Sequence, residues 1–149
     1  MRTLVKTTSD SKDFLSLIRF LDENLKILDG DDHAFYAQFN GVDQIKHVVV
    51  CYEDEIPVGC GAFKKYDTAS VEIKRMFVQP DYRSKGIASA ILSELEVWAK
   101  TLGFNESILE TGSMQNEAIH LYKKIGYKVI SNYEPYIGVA NSICFRKSL

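Results

Sequence analysis

Proline and glycine are scarce in this chain of 149 residues, with three and nine residues, and no apolar run approaches the ~18 residues of a membrane span. These absences exclude fibrous, low-complexity and membrane-spanning classes. The N-terminal segment also lacks the apolar stretch of a secretory signal. With 46% hydrophobic and 26% charged residues, the sequence predicts one folded domain over residues 1–149.

Cysteine is also rare, and its number is odd. Cys51, Cys60 and Cys144 form no C-x-x-C pair, which argues against a disulfide framework or a zinc knuckle and favours a reducing, cytoplasmic setting. All three lie in strand patterns, so we expect small buried side chains and no cysteine nucleophile that forms a covalent intermediate. No metal is expected, because the E-x-x-H turn of Glu117 and His120 has no second copy.

A basic field for nucleic acid is absent as well, since 18 basic and 20 acidic residues give a net charge of −2. The charge is unevenly spread, because residues 64–85 carry six basic and three acidic side chains, whereas residues 1–63 carry six and eleven. The basic segment fits either a strand edge protected by lysines or a site for a small anionic ligand. We expect neither a nucleic acid nor a membrane as a partner.

The hydrophobic pattern predicts both strands and helices. Alternating and β-branched runs predict strands at 2–7, 47–53, 57–66, 71–78, 106–111, 127–131 and 142–148. Helical spacing predicts helices at 11–27, 33–39, 86–102 and 116–125. Within VEIKRMFV, the apolar parity changes after Ile73, which indicates a bulge near Arg75–Met76. The order of elements predicts an α/β or α+β protein, a mixed sheet with helices packed on it.

The most informative segment lies between the strand at 71–78 and the helix after it, and it reads RSKGIA at residues 83–88. A helix start exposes unpaired backbone N–H groups and about half a positive charge, which together bind phosphate groups. Gly86 and Ala88 let the backbone approach a diphosphate closely. Charge and hydroxyl donors come from Arg83, Lys85, Ser84 and Ser89. The context favours an anion site over a plain helix start.

Two segments resemble the GNAT superfamily, the acyl-CoA-dependent N-acetyltransferases. That family carries [QR]-x-x-G-x-[GA] between its fourth strand and third helix, the place that RSKGIA occupies here. It also carries an Asn and then a helix ending in A-x-x-L-Y-x-x-x-G-[FY], and residues 116–127 read NEAIHLYKKIGY. The resemblance implies a single mixed, mostly antiparallel, twisted sheet with helices on both faces. It also implies acetyl-CoA as co-substrate.

The resemblance implies roles for the matching residues. Backbone groups of Met76, Phe77 and Val78 would pair with the pantetheine arm of acetyl-CoA. Asn116 would contact the cofactor near its thiol, and Tyr122 would stand beside the sulfur. The diphosphate would be bound by Arg83, Ser84, Lys85, Gly86, Ile87, Ala88 and Ser89. Pairing through sheet edges, frequent in the family, adds a homodimer to these expectations.

Acetyl transfer to an amine needs a proton acceptor, a donor to the carbonyl oxygen and a proton for the leaving thiolate. Glu72 is the candidate base, directly or through a water, and a backbone N–H at the bulge is the candidate donor. Tyr122 is the candidate acid, because a phenol is protonated at neutral pH. Each side chain has an alternative role. Glu72 could instead pair with Lys74 or Arg75, and Tyr122 could be a core aromatic.

The sequence therefore predicts an acetyl-CoA-dependent N-acetyltransferase that acts on a primary amine of a small molecule by direct attack in a ternary complex. A protein N-terminus or a lysine side chain is the alternative acceptor, and a CoA-binding sensor or scaffold without turnover is the alternative of another class. The loop holding Tyr133, Tyr136 and Asn141 either covers an acceptor pocket or packs as an ordinary loop. We expect His33 and His47 on the surface or in loops.

Overall fold

The fold was obtained as a computed structural model that describes residues 1–29 and 45–149, with side chains for all of these except 24–29. The strands are β1 Arg2–Thr7, β2 His47–Glu53, β3 Ile56–Lys65, β4 Ser70–Val78, β5 Glu106–Gly112, β6 Lys128–Ile130 and β7 Ser142–Ser148. The helices are α1 Lys12–Asp29, α2 Ile87–Thr101 and α3 Asn116–Lys124. The predicted elements in these ranges are confirmed. The helix predicted at 33–39, with His33, lies outside the described residues.

The strands form one sheet in the order β1-β2-β3-β4-β5-β7-β6, in which β4 and β5 are parallel and the other neighbours antiparallel. The mixed, mostly antiparallel sheet is thus confirmed. Pairing between β4 and β5 covers only Ser70–Glu72 against Glu106–Ile108. Both strands continue past this short ladder, so the sheet opens between them toward their carboxyl ends.

Helices pack on both faces of the sheet because successive strand residues point to opposite sides. On β2, Val49 joins a core that includes Ile91 and Leu95 of α2, whereas Val48 and Val50 join a second core. That second core takes its helical residues from α1, where the apolar stripe consists of Phe14, Leu17, Ile18 and Leu21. The two cores fix β4 between α1 and α2.

The predicted irregularity in β4 is a β-bulge. Cys60 pairs with Phe77 and Ala62 pairs with Lys74, so Gly61 alone faces both Arg75 and Met76. The backbone of Arg75 is left-handed, with φ of 60°, a conformation that non-glycine residues seldom adopt. The bulge redirects the side chains of β4 at the point where the sheet opens.

Gly61 supplies the space that the bulge needs. A methyl group at this position would lie 2.9 Å from Cγ2 of Ile91 and 3.0 Å from Cδ1 of Leu95, and would overlap the sulfur of Met76. We expect Gly61→Ala to lower the free energy of unfolding by about 1–3 kcal/mol in a denaturant titration. Combining it with Met76→Ala should recover part of the loss. Additive effects of the two substitutions would contradict this packing.

The surface or loop position expected for His47 is wrong, because this residue lies in a strand and contacts two aromatic rings. His47 begins β2, is half-buried, and stacks on Phe63 with ring centroids 4.6 Å apart. The edge of Trp98 lies 4.8 Å away. Burial, with a contribution from Lys46, lowers the pKa of His47. An isolated histidine in the sequence does not reveal that two aromatic rings from other elements converge on it.

The three cysteines are buried and unpaired, as predicted. Cys51 and Cys60 lie on adjacent strands, and Cys144 lies on β7. Within the described ranges, no helix combines the length and the apolar character needed to cross a bilayer. In the same ranges, no three His, Cys, Asp or Glu side chains converge as a metal site would require.

Candidate functional site

A cleft opens where β4 and β5 diverge. Parallel strands that separate leave backbone groups without a strand partner and make room for a ligand between them. Three of the predicted site residues, Glu72, Met76 and Tyr122, line this cleft. The remaining lining residues come from α1, the two strands, the start of α3 and the loop before β7: Leu21, Ile73, Lys74, Arg75, Leu109, Glu110, Thr111, Gly112, Gln115 and Tyr136.

The start of α2 lies beyond the end of β4 and has no side-chain cap. Gly86 is the N-cap residue, with φ of 80°, and no side chain bonds to the first backbone N–H groups of the helix. A Cβ at Gly86 would meet no atom within 4 Å, so the space above this helix start is open. Ser84 is also left-handed, with φ of 64°. Left-handed residues in a turn direct successive backbone N–H groups toward one side, a geometry suited to binding an anion.

The basic side chains of the loop are partly engaged. Arg83 is half-buried and donates from Nε to the carbonyl oxygen of Val78 at 2.9 Å, which ties the loop to the end of β4. Lys85 is exposed, and its Nζ lies 5.4 Å from the ring centroid of Tyr82. Lys85 is therefore the more available of the two cations.

The other predicted cofactor residues fall into three groups, which differ in exposure. Phe77, Val78 and Ile87 are buried in the two cores, so they can offer only backbone groups to a ligand. Ala88 and Ser89 lie half-buried in the first turn of α2. Asn116 is exposed at the start of α3 and does not line the cleft, whereas the preceding Gln115 does.

Glu72 sits in a buried polar network at the point where β4 and β5 separate. It is 4% exposed, and its Oε2 accepts a hydrogen bond from the hydroxyl of Tyr133 at 2.8 Å. Its Oε1 lies 3.7 Å from Nζ of Lys74, which donates to the hydroxyl of Tyr136 at 3.4 Å. Burial and the Glu72 carboxylate raise the pKa of Tyr133, whereas burial lowers the pKa of Lys74. Glu72 therefore lines the cleft and lies beside Lys74, as its alternative role requires, whereas its role as a base stays a prediction.

The loop between β6 and β7 closes over this network. Asn132 holds the loop together by donating from Nδ2 to the carbonyl oxygens of Tyr136, Val139 and Ser142 at 3.1–3.2 Å. Tyr136 is 2% exposed and lines the cleft. The ring of Tyr133 packs edge-on between Tyr66 and Tyr136. Asn141 is exposed, and its backbone carbonyl oxygen accepts a hydrogen bond from the N–H of Ser113.

Tyr122 reaches the cleft from α3. Its ring is 7% exposed and packs against Tyr127 and Phe145, with both centroid distances at 5.9 Å. Burial, with a contribution from the Glu110 carboxylate, raises the pKa of Tyr122 above its usual value. The phenol is therefore protonated throughout the neutral range. The packing of its ring matches the alternative role of Tyr122, that of a core aromatic residue.

The sequence did not identify every charged residue of the cleft. Lys74, Arg75 and Glu110 line it, whereas the sequence pattern predicts the first two only as partners of Glu72. The sequence contains one signal of their role, because Lys74 and Arg75 interrupt a strand, β4, whose other residues are mostly apolar. Charged side chains in such a strand must find partners or a ligand.

The chain is similar to known acetyltransferases. The model of the acetyltransferase (GNAT) family matches residues 14–127. The uncharacterised N-acetyltransferase YsnE of Bacillus subtilis (strain 168) is 33% identical over 127 residues, which are 84% of this chain and 76% of that protein. For two other acetyltransferase relatives, the chain spans 57% and 52% of their length.

Solved structures share the fold over their whole length. A provisionally assigned acyl-CoA N-acyltransferase from Klebsiella pneumoniae matches with a TM-score of 0.83 and 25% identity, covering 100% of this chain and 98% of that one. The PaiA N-acetyltransferase of Thermoplasma acidophilum, solved in complex with coenzyme A, has a TM-score of 0.75 and 17% identity, covering 100% and 99%.

Proposed function

Because this chain belongs to the GNAT family of acetyltransferases, we propose that it transfers an acetyl group from acetyl-CoA to a primary amine of a small molecule. The proposal depends above all on one observation. β4, which lines the cleft, leads through a short turn into the segment RSKGIA, and the helix start in that segment has no side-chain cap. We extend the proposal to residues 1–149 as a single domain.

We assign residues of this chain to both ends of such a cofactor. In the proposal, residues 83–89 bind the diphosphate through the N–H groups at the start of α2, with charge from Arg83 and Lys85. The backbone of Met76, Phe77 and Val78, on the edge of β4 that β5 leaves open, pairs with the pantetheine arm. Asn116 remains the proposed contact near the thiol. When bound, acetyl-CoA supplies the activated thioester.

Three groups around the cleft provide the chemistry. The amine nitrogen bonds to the acetyl carbon, and the carbon–sulfur bond breaks. The amine proton passes to Glu72, directly or through a water, and the phenol of Tyr122 gives its proton to the leaving sulfur. A backbone N–H at the Arg75–Met76 bulge donates to the carbonyl oxygen.

The loop between β6 and β7, which closes over the cleft, favours a small-molecule acceptor over a protein acceptor. Tyr133 and Tyr136 enclose the network around Glu72, and Tyr136 is almost fully buried. The cytoplasmic setting and the sheet-edge homodimer predicted from the sequence remain predictions.

Removing the loop cations tests the cofactor site. Replacing Arg83 and Lys85 together by Ala should weaken CoA binding about ten-fold at low ionic strength, measured by isothermal titration calorimetry. Two charge-assisted contacts to phosphate are lost. The deficit should shrink as salt is added, because the Debye length falls from ~30 Å at 0.01 M to ~10 Å at 0.1 M.

Lys100→Ala is the matched control for this experiment. Lys100 is exposed at the opposite end of α2, so its removal changes the net charge without touching the helix start. CoA affinity should stay at the level of the parent protein. If the double variant binds CoA as tightly as the parent, the phosphate site lies elsewhere. If the parent itself does not bind CoA, the proposed function fails.

A further inference from the structure

Two adjacent cations of β4, Lys74 and Arg75, are buried at the cleft. Neighbouring residues of a regular strand point to opposite faces, but the bulge at Arg75–Met76 breaks that alternation. Both residues consequently line the cleft. The side chain of Lys74 is 7% exposed and that of Arg75 is 2% exposed. Side chains of this kind are seldom buried unless they are paired.

The pairing of these cations within the described residues is incomplete. Nη2 of Arg75 donates to Oδ1 of Asp22 at 2.5 Å, but Nε and Nη1 are buried and have no hydrogen-bond partner in the described part of the chain. Lys74 reaches Glu72 only at 3.7 Å and Tyr136 only at 3.4 Å. A buried donor without a partner destabilises a protein, because its hydrogen bonds to water are lost and not replaced. Donors left in this way beside a cleft indicate a ligand that brings the acceptor atoms.

The cleft also holds negative charge. Glu72 and Glu110 line it together with the two cations. A polyamine, which carries only positive charge, would gain from the carboxylates but would lie against Lys74 and Arg75. A molecule with an amine at one end and an anion at the other matches both signs.

We infer that the acetyl acceptor is an amine that also carries a carboxylate, as an amino acid does, and that Arg75 and Lys74 bind this carboxylate. The unpaired Nε and Nη1 of Arg75 and the ammonium of Lys74 donate to its oxygens. The amine end of the acceptor then faces the carboxylates of Glu72 and Glu110. This inference rests on the proposed function, because it names the acceptor of that same cleft.

Paired acceptors test the charge requirement directly. Free amino acids, the same amino acids as carboxamides, and the polyamines putrescine and spermidine are incubated with acetyl-CoA, and acetylated products are quantified by mass spectrometry. At least one free amino acid should exceed its carboxamide at least ten-fold in kcat/KM, and the polyamines should be poorer still. Equal use of acid and amide, or preference for a polyamine, overturns the inference and leaves the proposed function intact.

A binding measurement separates failure of the inference from failure of the proposed function. The protein saturated with CoA, which cannot donate an acetyl group, is titrated calorimetrically with the preferred amino acid and with its amide; if no acceptor turns over, all twenty amino acid pairs are titrated. Binding of an acid and not its amide supports the carboxylate site even without turnover. No binding of any acid overturns it.

Substitutions place the carboxylate on the two cations. Lys74→Gln and Arg75→Gln should each raise KM for the amino acid at least ten-fold while changing KM for its carboxamide less than three-fold. Arg146→Gln, which removes an exposed cation of β7, is the matched control and should change neither. Equal losses on acid and amide would show a merely structural role and overturn the assignment. Because Arg75→Gln could unfold the bulge, Lys74→Gln and the acceptor pairs keep the inference testable without it.

Discussion

Tyr122→Phe should lower kcat by about 100-fold or more while leaving CoA affinity within about two-fold. The substitution removes one oxygen and keeps the ring that packs on Tyr127 and Phe145. General acid catalysis contributes about 10²–10⁴-fold, so loss of the proton donor outweighs any change in packing. Acetylated product is quantified by mass spectrometry under saturating acetyl-CoA, and affinity by calorimetry.

Tyr127→Phe is the matched control, because the two residues are neighbouring buried tyrosines with different hydroxyl environments. The Tyr127 hydroxyl bonds to Ser107 at 2.7 Å and donates to Glu96 at 2.9 Å, away from the cleft. Its loss should cost about 1–3 kcal/mol in the free energy of unfolding and leave kcat nearly unchanged. Equal kcat for the parent and Tyr122→Phe would remove Tyr122 from the proton transfer.

The pH dependence gives this prediction a second readout. Burial and Glu110 raise the pKa of Tyr122 above its ordinary value near 10, so the group is protonated at every pH below that value. Its contribution to the rate is fully present from pH 6 to pH 10 and is lost only as pH rises through the raised pKa. The parent and Tyr122→Phe should therefore differ by a constant factor across pH 6–10.

Glu72→Gln should lower kcat/KM for the acceptor about 100-fold at pH 7, because an amide cannot take the proton of the amine. Its carbonyl oxygen can still accept the hydrogen bond from Tyr133, although the ionic attraction to Lys74 is lost. The deficit should shrink as pH rises. Without a base in the cleft, the reaction depends on acceptor that is already neutral, and that fraction grows ten-fold per pH unit below the acceptor's own pKa.

Glu94→Gln is the corresponding control. Glu94 lies on α2 and contacts Lys6 at 3.8 Å, outside the cleft, so its neutralisation should change kcat/KM less than two-fold. Rates are compared from pH 6 to pH 10 at fixed ionic strength. An unchanged rate for Glu72→Gln at pH 7 would reduce Glu72 to an ion-pair partner of Lys74.

The bulge and the strand order show how far local patterns carry a prediction of the fold. The parity change in VEIKRMFV located the bulge because a period-two pattern cannot shift without an extra residue. Helical spacing likewise predicted a helix at 11–27, and Phe14, Leu17, Ile18 and Leu21 form the buried face of α1. Which strands pair is set by contacts distant in sequence. The three-residue ladder between β4 and β5 therefore could not be derived from local pattern.

The site could be predicted only where a short motif determines the local structure by itself. RSKGIA indicates a helix start open to anions, and the structure has that start at Gly86 without a cap. The partners of Glu72 were less accessible, because Tyr133 lies 61 residues away and reaches it only through the closure of the last loop. The incomplete hydrogen bonding of Arg75 cannot be predicted from the sequence either. It depends on the burial of individual nitrogen atoms.

The burial of the three thiols has a practical consequence for enzymology. Desolvation raises the pKa of Cys60 to about 12 and that of Cys144 to about 11, and it also raises the pKa of Cys51. Shielded thiols that stay protonated react slowly with disulfide dyes and alkylating reagents, since the thiolate is the reactive form. A chromogenic disulfide added to a running reaction would therefore report the coenzyme released by turnover, with little background from the folded enzyme.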